Sequence, residues 1–381
     1  MRDRAELVII GGGIIGLSIA YHLARMGLTD VVVLEQGYLC FGSSGRNGGG
    51  VRQQWSTEDH ILLAKQSVRM FQKLACETGH NIWFRQGGYL FLARDERTAA
   101  VLESNLKMQN KMGVPTRLIS PKEAQKVVPG LNPEGILVCS HNPTDGVLFP
   151  WPAIWGMAGV AQKLGVEINT FTRVTDIDVQ GGQIVKVVTD RGAIATTRVI
   201  NAAGAWSCQL ARMVGIELPN KPYRHEILIS EPLKPFVKPL ISDLSNGTYF
   251  SQTMRGEILG GLSDPDEPSS LDNSSSFAFL ARMCQSMTRI LPRLGYVKVM
   301  RQWAGYYDET PDGNPILGRV DGVEGFIQAN GFGGHGFMLA PAIGQLTAEW
   351  LLRKSDPEIF RKYELSRFNR GQVEKETFVI G

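Results

Sequence analysis

Four closely spaced glycines near the start of the chain, Gly11, Gly12, Gly13 and Gly16, separate a short apolar run from a stretch with helical character. The order strand, Gly-x-Gly-x-x-Gly and helix is typical of a βαβ unit that binds a dinucleotide. In such a unit, Gly11 forms the tight turn and Gly13 lets a pyrophosphate approach the backbone. Gly16 lets the helix pack closely against the preceding strand.

The residues around this loop predict the rest of the unit. A buried strand is predicted over Leu7–Ile10, a helix over residues 17–26 and a second buried strand over Val31–Leu34. Glu35 ends that second strand and can accept hydrogen bonds from ribose hydroxyls. The first turn of the helix offers N–H groups and a partial positive charge to phosphates. The alternative interpretation is a structural turn followed by a surface glutamate.

A second glycine-rich segment covers residues 42–50, with the sequence GSSGRNGGG. Each glycine costs about 1 kcal/mol in a helix interior, so we predict neither a helix nor a strand there. The segment can wrap an extended ligand with backbone amides and hydroxyls, or it can be a flexible linker. Arg46, Asn47, Arg52 and Trp55 supply more chemistry than a linker needs, which favours a ligand role.

Two later segments repeat the theme of a strand followed by small residues. A strand from Val199 leads into Ala202, Ala203 and Gly204, after a predicted meander of short strands over residues 174–192. A strand over residues 325–330 precedes four glycines and a predicted apolar helix over residues 338–352. A helix N-terminus at that position would stabilise an anion. Three glycine-rich loops at strand ends suit a long cofactor that extends from the first loop to the last, which favours FAD over NAD.

Composition excludes several other classes of protein. Forty basic and 37 acidic side chains leave a net charge of +3 without long runs of one sign, so no nucleic-acid partner is expected. The apolar runs are too short to span a bilayer, and the first residues do not resemble a signal peptide, which predicts a cytoplasmic protein. Five scattered cysteines without a Cys-x-x-Cys pair predict no metal site.

Together these motifs resemble the D-amino-acid-oxidase superfamily of FAD-dependent amine oxidoreductases. The matching motifs occur in the family's order over nearly the whole chain: residues 8–16 (VIIGGGIIG), 199–206 (VINAAGAW), 303–305 (WAG), 310–313 (TPDG) and 330–336 (NGFGGHG). Within the superfamily, the chain is most similar to the β subunits of heterotetrameric sarcosine oxidase and of dye-linked L-proline dehydrogenase.

The resemblance implies an α/β fold in which a Rossmann-like FAD-binding domain is interleaved with an antiparallel-sheet α+β substrate domain. We expect residues 1–83, 146–221 and 303–381 in the first and 84–145 and 222–302 in the second. Residues expected to contact FAD, from the motifs and the resemblance, are Gly11, Gly13, Gly16, Glu35, Ser43, Ser44, Asn47, Gly48, Gly49, Val51, Val174, Ala203, Gly204, Gly305, Gly331, Gly333, Gly336 and Met338.

Three residues are candidates for substrate contact. Arg52 aligns with the family's substrate-side arginine and could bind a carboxylate with two hydrogen bonds; a pyrophosphate or surface contact is the alternative. Tyr249 falls where relatives carry a substrate-side tyrosine, or it is an ordinary sheet aromatic. His225 could take a proton from the amine, or it could be a structural histidine.

Departures from the family pattern refine these expectations. Gly305 replaces the cysteine that tethers flavin in monomeric sarcosine oxidases, so FAD should be noncovalent. Pro150 falls near the histidine that carries FMN in heterotetrameric sarcosine oxidase, so covalent FMN is not expected. A noncovalent FMN at a contact with an α subunit stays open.

Ile258 and Met338 stand where oxidases carry lysines tied to oxygen reactivity or substrate binding. A cation there would stabilise developing superoxide, so slow reaction with O2 is expected.

The favoured function is therefore an amino-acid dehydrogenase that transfers a hydride to flavin N5. L-Proline would give 1-pyrroline-5-carboxylate, and the electrons would pass to a dye or to a partner subunit that carries further redox cofactors. One alternative is a sarcosine or glycine oxidase that produces hydrogen peroxide. An alternative of another class is a flavin-bearing electron-transfer subunit without turnover of its own.

Overall fold

The structure is a computed structural model and describes residues 1–353, 357–371 and 375–376. The strands, in chain order, are β1 Leu7–Ile10, β2 Val31–Leu34, β3 Gly50–Val51, β4 Tyr89–Ala93, β5 Arg117–Ile119, β6 Val138–Asn142, β7 Gly146–Val147, β8 Glu167–Asn169, β9 Val174–Gln180, β10 Gln183–Thr189, β11 Gly192–Ala195, β12 Val199–Asn201, β13 Lys221–Pro232, β14 Leu240–Asp243, β15 Thr248–Gln252, β16 Glu257–Gly261, β17 Val299–Glu309, β18 Ile316–Arg319 and β19 Phe326–Asn330. The helices are α1 Ile14–Arg25, α2 Glu58–Thr78, α3 Glu96–Lys111, α4 Pro121–Val127, α5 Pro150–Lys163, α6 Ser207–Met213, α7 Phe277–Ile290, α8 Gly336–Arg353, α9 Glu358–Lys362 and α10 Arg367–Arg370.

A six-stranded sheet in the order β18-β19-β12-β1-β2-β8 forms the nucleotide-binding half. All neighbours in it are parallel except β18, which pairs antiparallel with β19. Its strands β1, β2 and β12 are short apolar runs that are buried on both faces, as expected of a parallel sheet. Helices α1, α2, α5 and α8 cover one face, and the antiparallel sheet β11-β10-β9 together with α6 covers the other.

An eight-stranded sheet in the order β17-β13-β16-β15-β14-β4-β6-β5 forms the other half. It is antiparallel throughout except between β14 and β4. The long pair β13 and β17 places His225 opposite Gly305 and Tyr223 opposite Tyr307. Helix α7 packs its apolar face on this sheet and, with α4, closes a second hydrophobic core.

The mixed α/β fold with an interleaved chain was predicted correctly. The strands of the six-stranded sheet come from residues 7–34, 167–201 and 316–330, and those of the eight-stranded sheet from residues 89–142 and 221–309. The predicted domain boundary at residue 303 falls inside β17. The domain boundaries themselves stay a prediction. No helix in the described ranges is long and apolar enough to cross a membrane.

Local predictions were mostly confirmed, with small differences at the ends of elements. Helix α1 begins at Ile14 and not at residue 17, because Gly13 occupies the N-cap position with extended backbone. Residues 42–50 do contain regular structure, contrary to prediction: a 3₁₀ turn spans Ser43–Gly45, and β3 begins at Gly50. Helix α4 begins with a capping box formed by Ser120 and Glu123.

Candidate active site

A long cleft lies between the two large sheets, lined by the first, second and last glycine loops, and part of it is open to solvent. Most of the predicted site residues line this one cleft: Gly11, Gly13, Glu35, Ser43, Ser44, Asn47, Gly48, Arg52, Val174, Ala203, Gly204, His225, Tyr249, Gly305, Gly331, Gly333, Gly336 and Met338. The fold therefore brings together residues that lie more than 300 positions apart in the chain.

At two positions of the first glycine loop, Gly11 and Gly16, only glycine fits. Gly11 has φ of +118°, and a Cβ there would lie 2.3 Å from the carbonyl oxygen of Ala202. A Cβ on Gly16 would lie 2.1 Å from the carbonyl oxygen of Gly11. Gly13 has more room, since the nearest atom to its Cβ would be Ser44 Oγ at 3.0 Å. The first turn of α1 therefore lies at the wall of the cleft, where the N-terminus of a helix favours a bound phosphate.

Glu35 lies beside this loop, as predicted, and is already held by backbone amides. Its two carboxylate oxygens accept hydrogen bonds from Gly12 N and Gly37 N, each at 2.8 Å. Burial raises the pKa of the Glu35 carboxyl, and the backbone hydrogen bonds oppose that shift. The amides thereby orient the carboxylate at the wall of the cleft, where a ribose could hydrogen-bond to it.

The second glycine loop is held in place by hydrogen bonds and is not a flexible linker. Ser43 Oγ donates to the carbonyl of Tyr306 at 2.6 Å, and Arg46 Nη1 donates to the carbonyl of Ala304 at 3.0 Å. Ser44 Oγ accepts from Ile14 N at 2.9 Å and so joins the loop to the first turn of α1. These contacts tie the loop to both halves of the molecule.

Asn47 holds the loop's own turn together. Its Nδ2 donates to the carbonyl of Ser44 at 2.6 Å, and its Oδ1 accepts from Gly49 N at 2.7 Å. Three predicted FAD contacts, Gly16, Gly49 and Val51, do not line the cleft. A Cβ on Gly49 would lie 1.9 Å from the carbonyl oxygen of Leu148, and Val51 is part of the core beneath α2 and α8. These residues shape the loops from behind.

The last glycine loop is anchored by Asp308 on β17. Its carboxylate accepts from Gly331 N at 2.8 Å and from Asn220 Nδ2 at 3.1 Å, and its backbone carbonyl accepts from Gly333 N. Burial raises the pKa of Asp308 to about 7. Asn220 continues the network to Asn330 Oδ1 at 3.0 Å. Helix α8 begins directly after this loop, so its N-terminus is directed at the cleft.

Arg52 is buried at the other end of the second loop, with 3% of its surface exposed. Its guanidinium carbon lies 3.6 Å from the centre of the Trp55 ring, and Nη1 donates to the carbonyl of Gln54 at 2.6 Å. Burial lowers the pKa of Arg52 to about 10, while Tyr89, Glu376 and Asp145 favour the charged form. The side chain remains a cation at neutral pH and faces the cleft.

Two carboxylates behind Arg52 were missed by the sequence analysis. Asp145, fully buried, accepts hydrogen bonds from Gln53 N, Gln54 Nε2 and Asn142 Nδ2. Burial raises its pKa to about 7. In the sequence it belongs to an Asn-Pro-Thr-Asp-Gly stretch that predicts an ordinary turn. Glu376, near the end of the described chain, gave no signal at all.

A stack of three rings forms the wall opposite the glycine loops. His225 lies parallel to Tyr307 and to Tyr249, with centroid distances of 4.4 and 5.7 Å. His225 Nε2 is 3.1 Å from the Tyr249 hydroxyl. Burial lowers the pKa of His225 to about 4, so the ring is neutral near pH 7. A Cβ on Gly261 would touch both His225 and Tyr249.

The cleft fits FAD on observations of this structure. Several glycines of its loops, Gly11 and Gly334 among them, pack too closely against other protein atoms for a Cβ, so the cleft is lined there by backbone alone, and its first loop leads into the N-terminus of α1. Glu35 is oriented for a ribose at that end, and the ring wall and Arg52 lie around the far end. A dinucleotide site joined to a buried cation and aromatic wall defines a flavin-dependent oxidoreductase.

Comparison with known proteins agrees with this class. The family described as FAD dependent oxidoreductase (DAO) matches residues 6–350, and the chain belongs to that family. It is 36% identical to the L-proline dehydrogenase structure from P. horikoshii, which superposes with a TM-score of 0.93 over 98% of this chain and 100% of that one. The sarcosine oxidase subunit beta of Rhodobacter capsulatus is 29% identical over 100% of this chain and 92% of its own length. Glycine oxidase from Geobacillus kaustophilus is 25% identical, with a TM-score of 0.88 over 96% and 99%. FAD is accordingly the cofactor.

Proposed function

We propose that the protein is an amino-acid dehydrogenase that oxidises L-proline to 1-pyrroline-5-carboxylate. The observation that carries the proposal is the buried Arg52 cation at the aromatic end of a cleft whose described lining contains no lysine. The similarity to an L-proline dehydrogenase supports the choice of substrate, and the sarcosine oxidase and glycine oxidase relatives mark the nearest alternatives.

Arg52 would bind the substrate carboxylate. A guanidinium can donate two parallel hydrogen bonds to a carboxylate, and the gain is largest where water is excluded. Trp55 holds the guanidinium plane from one side, which limits its rotation. In proline, the carbon oxidised in this proposal lies on the other side of nitrogen from the carboxylate. Arg52 can therefore fix one end of the ring while the reacting end points along the cleft.

The ring wall would bind the nitrogen side of the substrate. FAD, when bound, accepts the hydride from the carbon next to nitrogen, leaving a C=N bond in the product. His225 is neutral because burial lowers its pKa to about 4, so it would act as a hydrogen-bond partner better than as a store for a proton. The base role expected for His225 is therefore weakened, and the amine would have to bind without its extra proton. The Tyr249 hydroxyl and the parallel ring of Tyr307 orient the imidazole.

The absence of a lysine in the described lining favours a dehydrogenase over an oxidase. Met338, at the start of α8, lines the cleft with an apolar side chain, and Ile258 is buried in the core of the eight-stranded sheet. A positive charge near the flavin would stabilise superoxide as it forms. Neither residue can supply that charge, and the Arg52 cation at this end is assigned to the substrate carboxylate, so electrons are proposed to leave by another route.

An exposed group of aromatic rings suggests that route. Trp155 and Tyr38 are 47% and 43% exposed, and both contact Trp151, with centroid distances of 5.4 and 6.1 Å. From Tyr38, rings continue through Phe41 at 5.5 Å to Trp206 at 6.0 Å from Phe41. Phe41 and Trp206 line the cleft. We include in the proposal that an α subunit covers this aromatic face, with its own redox centre or an FMN at the contact.

Anaerobic mixing of the FAD-loaded protein with L-proline, sarcosine, glycine and D-alanine tests the function. L-Proline is expected to bleach the flavin absorbance, and a dye is expected to restore it much faster than air does. Rapid recovery in air after sarcosine or glycine, with hydrogen peroxide formed, would establish the oxidase instead. If none of the four bleaches the flavin even with a partner present, the chain is an electron-transfer subunit.

A further inference from the structure

The segment over residues 52–57 carries the proposed substrate arginine without any helix or strand to hold it. Its fixed position comes from side chains of three other parts of the chain. Asp145 accepts from Gln53 N at 2.8 Å, near the beginning of the segment. Gln109 Nε2 donates to the carbonyl of Trp55 at 2.9 Å. Glu376 holds the end of the segment.

Glu376 is buried, with 2% of its surface exposed, and its carboxylate bonds to polar groups at the end of this segment. Oε1 accepts from both the backbone N and the hydroxyl of Ser56, and Oε2 accepts from Thr57 Oγ1 at 2.8 Å. His60 Nδ1 lies 3.7 Å from Oε2 and 2.9 Å from Thr57 Oγ1. A carboxylate so fully bonded fixes the residues that follow Trp55.

Trp55 transmits this constraint to Arg52. The indole is fully buried, and its Nε1 donates to the carbonyl of Arg52 at 3.2 Å while its ring supports the guanidinium. The rings of His60 and His335 each lie 5.2 Å from the indole and 5.1 Å from each other. His335 belongs to the last glycine loop, so the indole is confined between the His60 that Glu376 contacts and the loop that faces the cleft.

We propose that Glu376 is a positioning residue for the substrate carboxylate, acting through Ser56, Thr57 and Trp55 on Arg52. The proposal rests on the proposed role of Arg52. Charge and position make opposite predictions: a negative charge near Arg52 weakens its attraction for a second carboxylate, whereas a fixed guanidinium binds that carboxylate better. We infer that position dominates, because the Glu376 carboxylate bonds directly to Ser56 and Thr57 in the segment that carries Arg52.

The test measures the affinity of the FAD-loaded protein for pyrrole-2-carboxylate through the change in the flavin spectrum on binding. This compound is a flat aromatic carboxylate that cannot donate a hydride to the flavin. Glu376→Ala is expected to raise the Kd about tenfold and to raise KM for L-proline similarly, with the bleaching rate at saturation nearly unchanged. Thr57→Val removes the hydroxyl that donates to Glu376 Oε2 and should raise the Kd as well. The double variant should be no worse than Glu376→Ala, because both act through one contact.

Glu364→Ala is the matched control, since Glu364 is another carboxylate near the C-terminal end that pairs with Arg370 at the surface. Flavin content and the Tm of every variant are measured, and Glu376→Gln and Thr57→Val keep the test open if Glu376→Ala loses FAD. Tighter binding in Glu376→Gln, or an unchanged Kd in Thr57→Val and both Glu376 variants, would overturn the proposal. If Arg52→Lys also leaves the Kd unchanged, the assignment of Arg52 has failed instead.

Discussion

The two ends of the cleft are built in different ways. At the dinucleotide end, the first glycine loop, the start of α1 and Glu35 come from one continuous stretch, residues 7–35, which offers backbone amides and one carboxylate. The substrate end combines Arg52, His225, Tyr249 and Tyr307, which lie on different elements and are joined only by the fold. The first end depends on the absence of side chains, and the second depends on buried polar side chains that need support.

This difference predicts two kinds of sensitivity to mutation. At the dinucleotide end, a single added carbon atom is enough to block binding, because the backbone has no room to move. At the substrate end, a substitution costs binding free energy because it leaves a buried charge or a buried hydrogen-bonding group without its partner. The following predictions test this contrast, from the largest expected effect to the smallest.

Gly11→Ala is expected to abolish FAD binding. The added Cβ would lie 2.3 Å from a backbone carbonyl, and φ of +118° disfavours any side chain. Flavin content after purification measures the loss. Gly159→Ala on α5 is the control, because nothing lies within 4 Å of its Cβ. Gly13→Ala separates binding from folding, since it meets only Ser44 Oγ; a protein that kept its full affinity for FAD would contradict the assignment of this loop.

Arg52→Lys is expected to weaken carboxylate binding about 100-fold while the FAD content stays normal. A lysine keeps the charge but loses the paired hydrogen bonds and the flat contact with Trp55. The Kd for pyrrole-2-carboxylate measures the change. Arg255→Lys, at an exposed arginine paired with Glu257, should have no effect. An equal loss of FAD in Arg52→Lys would mean that Arg52 serves the cofactor and not the substrate.

Glu35→Gln is expected to weaken FAD binding about tenfold without preventing it. The amide keeps one acceptor for Gly12 N or Gly37 N but presents an NH2 group to the other donor. Equilibrium binding of FAD to the apoprotein gives the Kd. If affinity fell as far as in Gly11→Ala, the dinucleotide end would depend on side chains as strongly as the substrate end does.

The smallest effect concerns the pH dependence of stability in the apoprotein. Burial lowers the pKa of His225 to about 4 in the folded state, against about 6.5 when unfolded. As pH falls below 6.5 the unfolded chain takes up a proton that the folded chain refuses, so stability is full above that pH and declines towards pH 4. At pH 6 this amounts to less than about 1 kcal/mol. His225→Gln should show a smaller drop in the free energy of unfolding between pH 8 and pH 6.

Exposed His80 supplies the control for that measurement, because His80→Gln should leave the drop as it is in the wild type. Urea titrations at the two pH values give the free energies. An identical drop in His225→Gln would mean that His225 takes up its proton as readily in the folded protein as in the unfolded one. In that case its hydrogen bond to Tyr249 would not be that of a neutral ring.

Sequence reasoning worked best where function is local. The strand, glycine loop, helix and Glu35 were all predicted within one segment, and the motif-based resemblance led to the family and the cofactor. It was less accurate for the second glycine loop, where a 3₁₀ turn forms because Ser43 and Arg46 find carbonyl partners on β17, more than 250 residues away. Propensity alone cannot anticipate such partners.

The sequence by itself determined the nucleotide-binding unit, because turns that require glycine and buried apolar strands are encoded by neighbouring residues. Only the tertiary structure decided how Arg52 is held and how His225 is charged. Asp145 and Glu376 reach the arginine segment from positions more than 90 and 300 residues away, and the ring stack that keeps His225 neutral is formed by β13, β15 and β17 together. Burial and long-range contact set these properties, and neither is written in any one segment of the chain.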